Sequence, residues 1–450
     1  MAPRWHLSPS PAHHRAARGV LTLCIVFVAT ACSPLWTMYN RDLAHTGSDT
    51  SAPDVVPVAS AWSTQVDGAT QGQPLVYNNR VYVATENDTI YAFDFKSGAI
   101  VWKTNLGVPV RAATVPCPLN LDPVGITGTP VIDSNTNTIF AVAVLAGPVR
   151  HEFFGLDLDT GAVRVDVSGD PPGVDPQMDH QRPALAINNG RVYWGYGGAD
   201  CGFYHGKVLS MKTDGTSPLV YTVPSVNYGS LWGTSGPAID PDGNVWVATG
   251  DGTSRTTPDK TTSLIKLSPT LDELGYFTPS NWSDLNTTGS ELGSAGPLIL
   301  PNGYVFAMGK NRVAYIVKQS APGGIGGQVA SLDLGCRAFG GAAWTPGMVY
   351  VACEDGTRAI SVTGLDTATP TMSAVWRGPS DARGPAVVGS NTVWVMAPVT
   401  GVLYALNPTD GTVRQSLTIG HAGNFTAPTI ANDTILVATD ARVQAFRHPG

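Results

Sequence analysis

A repeated unit constrains the fold of this chain more than any other feature of its sequence. The clearest copy, QPLVYNNRVYVATENDTIYAFDFKSGAIVWKTNLG, occupies residues 73–107 and contains alternating apolar positions, NN and SG turns and a terminal Trp102. Alternation with a period of two, interrupted by turn residues, predicts a four-stranded antiparallel meander. The unit opens with a small or polar residue followed by proline, and this anchor recurs at Pro74, Pro130, Pro183, Pro237, Pro297, Pro385 and Pro428.

A degenerate unit near Gly341 lacks the proline and brings the total to eight units, spaced roughly 43–60 residues apart. Four-stranded repeats of this length are typical of β-propeller blades. The last unit is too short for four strands, and residues 59–66 (ASAWSTQV) are expected to supply the missing one. We therefore predict an all-β, eight-bladed β-propeller of four-stranded antiparallel blades. Pairing of its N- and C-terminal strands would close the ring and leave no open sheet edge.

The first 31 residues predict an export signal. Three arginines and no acidic residue precede an apolar run at residues 20–28, which is too short to span a bilayer as a helix. The small residues before Cys32 fit signal cleavage, and ATAC also fits lipidation of Cys32. Ordinary cleavage with Cys32 as a bystander is the alternative. We expect an exported protein of the cell envelope, anchored to the outer face of the membrane if Cys32 is lipidated.

The remaining chain is predicted to hold one domain. Residues 32–58 form an N-terminal lead-in, and residues 59–450 form the propeller. Two stretches, 108–125 and 277–290, look like insertions, and long loops on a propeller face are where function usually lies. Removing the signal takes away three arginines, so the formal charge of −7 becomes −10. This charge argues against a nucleic-acid partner, because phosphate binding requires a positive surface.

Five cysteines remain after the signal, which suits one lipidated thiol and two disulfides in an oxidising compartment. Cys336 and Cys353 flank a predicted hairpin, so we expect them to pair. Cys117 with Cys201 then follows by elimination. Neither pair has the spacing of a zinc site.

The repeats resemble the propellers of the PQQ-dependent dehydrogenase-like family, where PQQ is pyrroloquinoline quinone. The signature YAFDFKSG at residues 91–98, followed by Trp102, carries the resemblance, and WTMYNRDLAHTG at residues 36–47 resembles the family's lead-in. The resemblance extends over residues 36–446. It implies that the glycine closes the outer turn and that the tryptophan docks between neighbouring blades. Two classes share these repeats: quinoprotein alcohol dehydrogenases, and a cofactor-free propeller lipoprotein of the outer-membrane barrel assembly machinery.

In the enzymes of this family, PQQ lies over the propeller axis on a tryptophan and binds calcium. The stretch GADCGFYHGKVLSM is similar to one that supplies a calcium-binding acid and a PQQ-binding arginine, with Asp200 and His205 in those places. The stretch SLWGTSGPAIDPDGNVWVATGDG is similar to one with the stacking tryptophan and a metal-binding asparagine. Trp232 and Asp251 take those positions, and calcium prefers hard oxygen ligands such as carboxylates.

Two further stretches resemble enzyme motifs. FTPSNWSDLN is similar to the stretch with the catalytic acid, which makes Asp284 the candidate proton acceptor and a candidate metal ligand. GKNRVAYIV resembles a segment whose lysine, here Lys310, reaches the quinone oxygen. Arg182 stands before Pro183, at a position expected to face the channel, where it offers a bidentate donor to a carboxylate of PQQ or to a neighbouring acid such as Asp179.

Each of these residues also has a purely structural interpretation. Asp251 lies in TGDG, which is an ordinary turn sequence. Asp284 is equally well explained as a solvated loop acid, and Asp200 as a turn residue beside a disulfide. A joint pocket of Arg182, His205 and Lys310 competes with a network of satisfied loop contacts.

Two functions remain open at this stage. The first is an exported quinoprotein oxidoreductase of alcohols or sugars that uses PQQ and calcium. It would need an external electron acceptor, since the adjacent cysteine pair of many such enzymes and any C-x-x-C-H haem motif are absent from the sequence. The second is a non-enzymatic envelope lipoprotein that binds other proteins. The enzyme requires Asp200, Asp251 and Asp284 to converge on one point near the axis, and their scatter on the rim would argue against it.

Overall fold

A computed structural model describes residues 36–116, 120–198 and 201–449 of the chain. The predicted signal, Cys32, Cys117 and Asp200 lie outside the described residues, so the predictions about them stay predictions. Within the described ranges, no helix combines the length and the apolar character needed to cross a bilayer.

The described residues form eight blades, each a four-stranded antiparallel sheet, which confirms the predicted fold class. Numbered along the chain, blade 1 holds Leu75–Tyr77, Arg80–Ala84, Thr89–Asp94 and Ile100–Asn105; blade 2 Val131–Asp133, Thr138–Leu145, Arg150–Asp157 and Val163–Ser168; blade 3 Ala186–Asn188, Arg191–Gly197, Lys207–Lys212 and Leu219–Thr222; blade 4 Ala238–Ile239, Val245–Ala248, Leu264–Leu267 and Glu273–Thr278. Blade 5 holds Leu298–Leu300, Tyr304–Ala307, Val313–Lys318 and Ala330–Asp333; blade 6 Ala343–Thr345, Met348–Cys353, Gly356–Thr363 and Thr371–Arg377; blade 7 Val387–Gly389, Thr392–Ala397, Val402–Leu406 and Val413–Thr418; blade 8 Thr429–Ala431, Thr434–Ala438, Arg442–Arg447 and Ala59–Gln65.

A few short elements lie between or beside the blades. The short strands are His180–Gln181 beside Tyr196–Gly197, Ser48–Asp49 beside blade 7, Gly324–Ile325 beside blade 4, and the pair Tyr228–Ser230 with Gly250–Gly252. The helical turns are Ala112–Thr114, Trp282–Thr288 and Pro301–Gly303. The first two lie in the stretches predicted as insertions, although the outer strand of blade 4 extends through Thr278.

Blade 8 closes the ring with strands from both ends of the propeller domain. Its outer strand Ala59–Gln65 pairs antiparallel with Arg442–Arg447, with Ala59 opposite Arg447 and Gln65 opposite Arg442. The predicted closure is therefore confirmed. Strand Ala59–Gln65 gives blade 8 its fourth strand and joins the two ends of the propeller within one sheet.

Burial follows the position of each strand within its blade. All eight residues of Thr138–Leu145, a second strand, are buried, whereas the outer strand Val163–Ser168 alternates between exposed and half-buried residues. Second and third strands pack against blades on both sides, so both of their faces are apolar. The core consequently lies between neighbouring blades rather than at a single centre.

Tryptophans of the outer strands lock neighbouring blades together. The indole N–H of Trp102 in blade 1 donates to the Leu158 carbonyl of blade 2 at 3.0 Å, and the ring covers Gly161. Gly161 has a φ of +72°, and a Cβ there would lie 2.5 Å from the indole. The same contact recurs through Trp62 with Phe95 and Gly98, and through Trp376 with Pro408 and Gly411. The docking that the resemblance implied is confirmed at these junctions.

The lead-in crosses one end of the central channel and ties blades together. Trp36 exchanges two backbone hydrogen bonds with Val76 of blade 1, at 3.1 and 2.9 Å. Further along, backbone N–H groups of five other first strands donate to lead-in carbonyls: Ile132 to Thr37, Ile239 to Leu43, Ile299 to Ala44, Trp344 to Thr46 and Val388 to Gly47. One short segment thus contacts blades 1, 2, 4, 5, 6 and 7.

The predicted disulfide between Cys336 and Cys353 is confirmed, with a Cα–Cα distance of 5.7 Å. It joins the segment before blade 6 to the end of Met348–Cys353, the second strand of that blade. The predicted pairing of Cys117 with Cys201 involves a residue outside the described ranges.

Candidate axial site

A cavity of about 850 Å³ lies on the propeller axis, where the first strands of the blades begin. The lead-in contacts the same strands further along, so the two features occupy different ends of the channel. Blades 1, 2, 3, 4, 5 and 8 all contribute to the lining, which includes Gln71, Thr127, His180, Arg182, Trp232, Asp251, Lys310, Phe425 and Asp440. We refer to it as the axial cavity.

The repeat itself places side chains in this cavity. Gln71, Thr127, His180 and Phe425 each stand three positions before the anchor proline of their own unit, and all four line the cavity. The sequence predicted that the segment before Pro183 faces the channel, but the recurrence of this position in other units was not recognised. The signal for it was present, because equivalent positions of a cyclic repeat face the same axis.

Aromatic rings form one wall of the axial cavity. Trp232 and Phe425 both line it, and their ring centroids are 6.5 Å apart. Phe339, before blade 6, lies 6.5 Å from Trp232 and 5.9 Å from Phe425. The indole Nε1 of Trp232 is buried and has no hydrogen-bond partner within the described part of the chain. A buried N–H of this kind calls for an acceptor.

Two cations lie over these rings. The guanidinium carbon of Arg182 is 4.8 Å from the Phe425 ring centroid and 5.6 Å from that of Trp232. The Nζ of Lys310 is 4.6 Å from the Trp232 centroid. Both distances are in the range of cation–π attraction. The axial cavity therefore combines aromatic surface with positive charge.

The two cations differ in how their charge is balanced. Lys310 forms an ion pair with Glu291 at 2.5 Å, and the Glu291 side chain is only 1% exposed. Arg182 has no hydrogen bond and no carboxylate within 4 Å among the described residues. Burial lowers the pKa of Arg182 to about 10, partly offset by the negative charge of Glu86, so the guanidinium stays charged at neutral pH. Arg182 is therefore the cation of the two that is available to pair with an anionic ligand.

Two buried acids lie behind the wall formed by Thr127. The Glu86 carboxylate accepts hydrogen bonds from the Gly125 N–H at 2.8 Å and from Thr127 Oγ1 at 3.0 Å. Burial raises the pKa of Glu86 to about 7. Burial, together with the charges of Glu86 and Asp67, raises the pKa of Asp88 to about 9. These contacts hold the end of the 108–125 insertion against blade 1.

Four of the predicted site residues line the axial cavity: Arg182, Trp232, Asp251 and Lys310. Asp251 does not form a simple hairpin turn. It lies in the short strand Gly250–Gly252, with a φ of +55°. Two predicted partners of the joint pocket, Arg182 and Lys310, are thus brought to the same aromatic wall.

Two other predicted residues lie elsewhere. The Nδ1 of His205 is 2.9 Å from Ser225 Oγ, and the ring meets Phe203 edge to face, outside the lining of the axial cavity. Asp284 is exposed on the helix Trp282–Thr288. The helix buries Leu285 and Asn286, the two residues that follow Asp284, whereas the Asp284 side chain lies on its solvent-exposed side. The structure does not bring either residue to the cavity.

The acids of the described residues do not converge as a calcium site. Asp251 lines the axial cavity, Asp284 does not, and Asp200 lies outside the described ranges. Within those ranges, the one group of three closely spaced metal-ligand side chains is Cys336, Cys353 and Asp355. Two of its members form the disulfide.

Comparison with known proteins supports the propeller fold. Residues 57–196 match a family model for PQQ-type repeats described as the outer membrane protein assembly factor BamB. No curated protein matches the chain. The quinohemoprotein alcohol dehydrogenase of Comamonas testosteroni superposes with a TM-score of 0.71 at 13% identity, over 93% of this chain and 81% of that one.

Two other solved structures show the same fold. A europium-containing methanol dehydrogenase has a TM-score of 0.68 at 12% identity, over 92% of this chain and 98% of that one. BamB from Moraxella catarrhalis has a TM-score of 0.59 at 14% identity, over 87% of this chain and 99% of that one. The chain is thus an eight-bladed propeller with an axial cavity. Within residues 57–196 the repeats match the PQQ-type family model, which agrees with the resemblance found in the sequence.

Proposed function

We propose that this protein is an exported quinoprotein oxidoreductase, which binds PQQ in the axial cavity and oxidises an alcohol or a sugar. The observation that carries the proposal is the state of Arg182. Its guanidinium lies over Phe425 and Trp232, without a hydrogen bond or an ion pair within the described residues. A half-buried cation on an aromatic wall is suited to a planar anionic ligand.

The lining fits PQQ in three respects. The cofactor is a planar aromatic acid, so its carboxylates suit the bidentate donor of Arg182. The rings of Trp232 and Phe425 offer stacking surface. Lys310 supplies a second cation, and the buried Nε1 of Trp232 offers a donor. When bound, PQQ would accept two electrons with a hydrogen from the substrate. An external acceptor would then take the electrons.

Calcium has weaker support than PQQ. A calcium ion takes six to eight oxygen ligands, several of them usually carboxylates. In the described residues, the axial cavity has Asp251 and, at its exposed rim, Asp440. Among the described residues, Asp251 is the half-buried carboxylate of the lining that could contribute to a calcium site.

Calorimetry on the purified chain tests the proposal. We expect PQQ to bind with micromolar or tighter affinity, and Arg182→Met to weaken binding about 10–100-fold, because it removes a charge-assisted contact of about 1.5–3 kcal/mol. Arg383→Met is the matched control, since Arg383 is exposed and lies outside the cavity lining. Absence of binding at millimolar PQQ would overturn the proposal. Repeating the titration with and without calcium tests the metal separately.

A second candidate is a non-enzymatic envelope scaffold that binds other proteins. Two observations favour it. The acids of the described residues do not converge on one point, and Lys310 is already paired with Glu291. The family model matched by residues 57–196, described as BamB, is consistent with it. If PQQ does not bind, crosslinking in the envelope followed by mass spectrometry is the next experiment. Specific protein partners would then support this function.

A further inference from the structure

His180 is a cavity residue with uncommitted ring nitrogens. It lies in the short strand His180–Gln181, opposite Gly197, and lines the axial cavity next to Arg182. Neither ring nitrogen makes a hydrogen bond to any described residue, and Nε2 is buried. Buried polar groups in proteins usually have partners. The His180 ring can therefore form a hydrogen bond with a ligand in the axial cavity.

The surroundings of His180 keep its ring neutral. Burial, reinforced by the charge of the neighbouring His151, lowers the pKa of His180 to about 4. His151 is itself held by Asp170, with 2.7 Å between Nδ1 and the carboxylate oxygen. At neutral pH the His180 imidazole thus carries one proton and retains one free lone pair. That is the form of histidine that accepts a proton.

The acids that line the cavity are less suited than His180 to accept a proton from a substrate. Asp440 is exposed at the rim, where bulk water competes for any proton that it receives. Asp251 is half-buried in a backbone conformation with a φ of +55°, and it is the candidate metal ligand. Asp284, the acid predicted from the sequence, lies on an exposed helix outside the lining. His180 is the half-buried base next to the cation expected to hold the cofactor.

We infer that His180 is the proton acceptor for the alcohol or sugar hydroxyl in the axial cavity. This inference rests on the proposed function. In the proposed reaction, His180 would take the hydroxyl proton. Bound PQQ would supply the two-electron acceptor for the C–H hydrogen and its electron pair, and the substrate carbon would become a carbonyl. The imidazolium then returns its proton to water, and its low pKa favours that return. Protons and electrons balance with one quinone reduced for each hydroxyl oxidised.

Variants of His180 separate this role from cofactor binding. In the full chain loaded with PQQ, we expect His180→Gln to bind PQQ within about threefold of wild type and to lower kcat at least about 100-fold. Added imidazole should restore part of the turnover of His180→Ala, because a small base can occupy the vacated space. His448→Gln is the matched control, since His448 is exposed, lies outside the cavity lining and has its Nδ1 3.0 Å from the Pro57 carbonyl.

A measurement without turnover checks the state of the ring. Diethyl pyrocarbonate modifies neutral, accessible imidazole, so we expect His180 to be labelled in the free chain and protected when PQQ is bound, as read by peptide mass spectrometry. Normal turnover of His180→Gln would overturn the inference while leaving the proposed function intact. Loss of turnover in Asp284→Asn with His180→Gln unaffected would do the same. Failure of the wild-type chain to bind PQQ would overturn both.

Discussion

Lys310 has a structural partner, which complicates its use as a probe of cofactor binding. Its Nζ lies 2.5 Å from Glu291, and the Glu291 side chain is almost fully buried. Removing the lysine takes a charged partner away from a buried carboxylate, and breaking such pairs costs several kcal/mol. A loss of ligand binding in Lys310→Ala would therefore mix two effects.

We predict that Lys310→Met lowers the free energy of unfolding by about 2–4 kcal/mol. The double variant Lys310→Met with Glu291→Gln should recover most of this loss, because it removes both charges. Urea unfolding of the wild type, the two single variants and the double variant gives the coupling energy directly. Additive losses in the double variant would show that the ion pair contributes nothing.

Asp88 makes stability depend on pH in a direction unusual for an acid. Its pKa is about 9 in the folded chain, against 3.8 when unperturbed, because burial and Glu86 disfavour the charged form. The folded state therefore keeps a proton that the unfolded state releases above pH 3.8. The contribution of Asp88 to stability is greatest below that pH and falls as the pH rises to about 9.

We predict that Asp88→Asn stabilises the chain at pH 8 by about 1–3 kcal/mol, and that it flattens the decline of stability between pH 5 and 9. Asparagine also suits the φ of +54° at this position. Asp94→Asn is the control: hydrogen bonds from Ser97 lower the pKa of the half-buried Asp94, so the effect of this variant is expected at acid pH. An Asp88→Asn variant with an unchanged pH dependence would contradict the assignment.

Sequence reasoning found the cavity residues unevenly, for a physical reason. Trp232 and Lys310 were found because their local motifs resemble those of a known family, and local motifs survive in the sequence. The pairing of Lys310 with Glu291 joins two loops, so no spacing rule reveals it. The repeat predicted strands and turns. Which positions face the axis became clear only from the arrangement of the anchor prolines around the ring.

At the scale of the elements, the turn glycines and docked tryptophans offer a controlled comparison. Gly161 and Gly190 have nearly equal φ angles of +72° and +73°, so alanine is strained at both. A Cβ at Gly161 would lie 2.5 Å from the ring of Trp102, whereas nothing lies within 4 Å of a Cβ at Gly190. The two positions therefore differ in what a Cβ would meet, which at Gly161 is the indole of Trp102 and, at 2.8 Å, Thr104 Oγ1.

We predict that Gly190→Ala costs about 1 kcal/mol, the backbone effect alone. Gly161→Ala should cost at least about 2 kcal/mol more, because the indole must move and its hydrogen bond to Leu158 is strained. Thermal and urea unfolding of the two variants measure the difference. Equal losses would mean that the tryptophan adapts freely and that docking contributes little to the packing of blades.

At the scale of the whole molecule, two separate features hold the ring of blades together. Blade 8 is closed by Ala59–Gln65, and the lead-in is hydrogen-bonded to first strands around the channel. The sequence predicted the first device, because a short last unit implied a borrowed strand. It did not predict the second, since a lead-in without a repeat carries no signal of where its backbone groups will bond.

Asn40 is the residue of the lead-in on which this second device can be tested. It is fully buried, has a φ of +48°, and its side-chain Nδ2 donates to the Ala342 carbonyl at 3.0 Å. Its backbone N–H donates to the side-chain oxygen of Gln73, so Asn40 links the segments that precede blades 1 and 6. We predict that Asn40→Gly costs about 1–2 kcal/mol, from the lost hydrogen bond alone, and that Asn40→Ala costs more because it adds backbone strain.

A chain that begins at residue 59 keeps the closing strand and loses the lead-in. The backbone N–H groups of Ile132, Ile239 and Val388 would then lose their acceptors in a largely apolar channel, and each unmet group costs about 1–3 kcal/mol. We expect a chain with native-like strand content by circular dichroism but a broad unfolding transition with a lower urea slope, because blades that share no central segment unfold less cooperatively. A single sharp transition at the wild-type midpoint would assign cooperativity to strand closure and to the docked tryptophans instead.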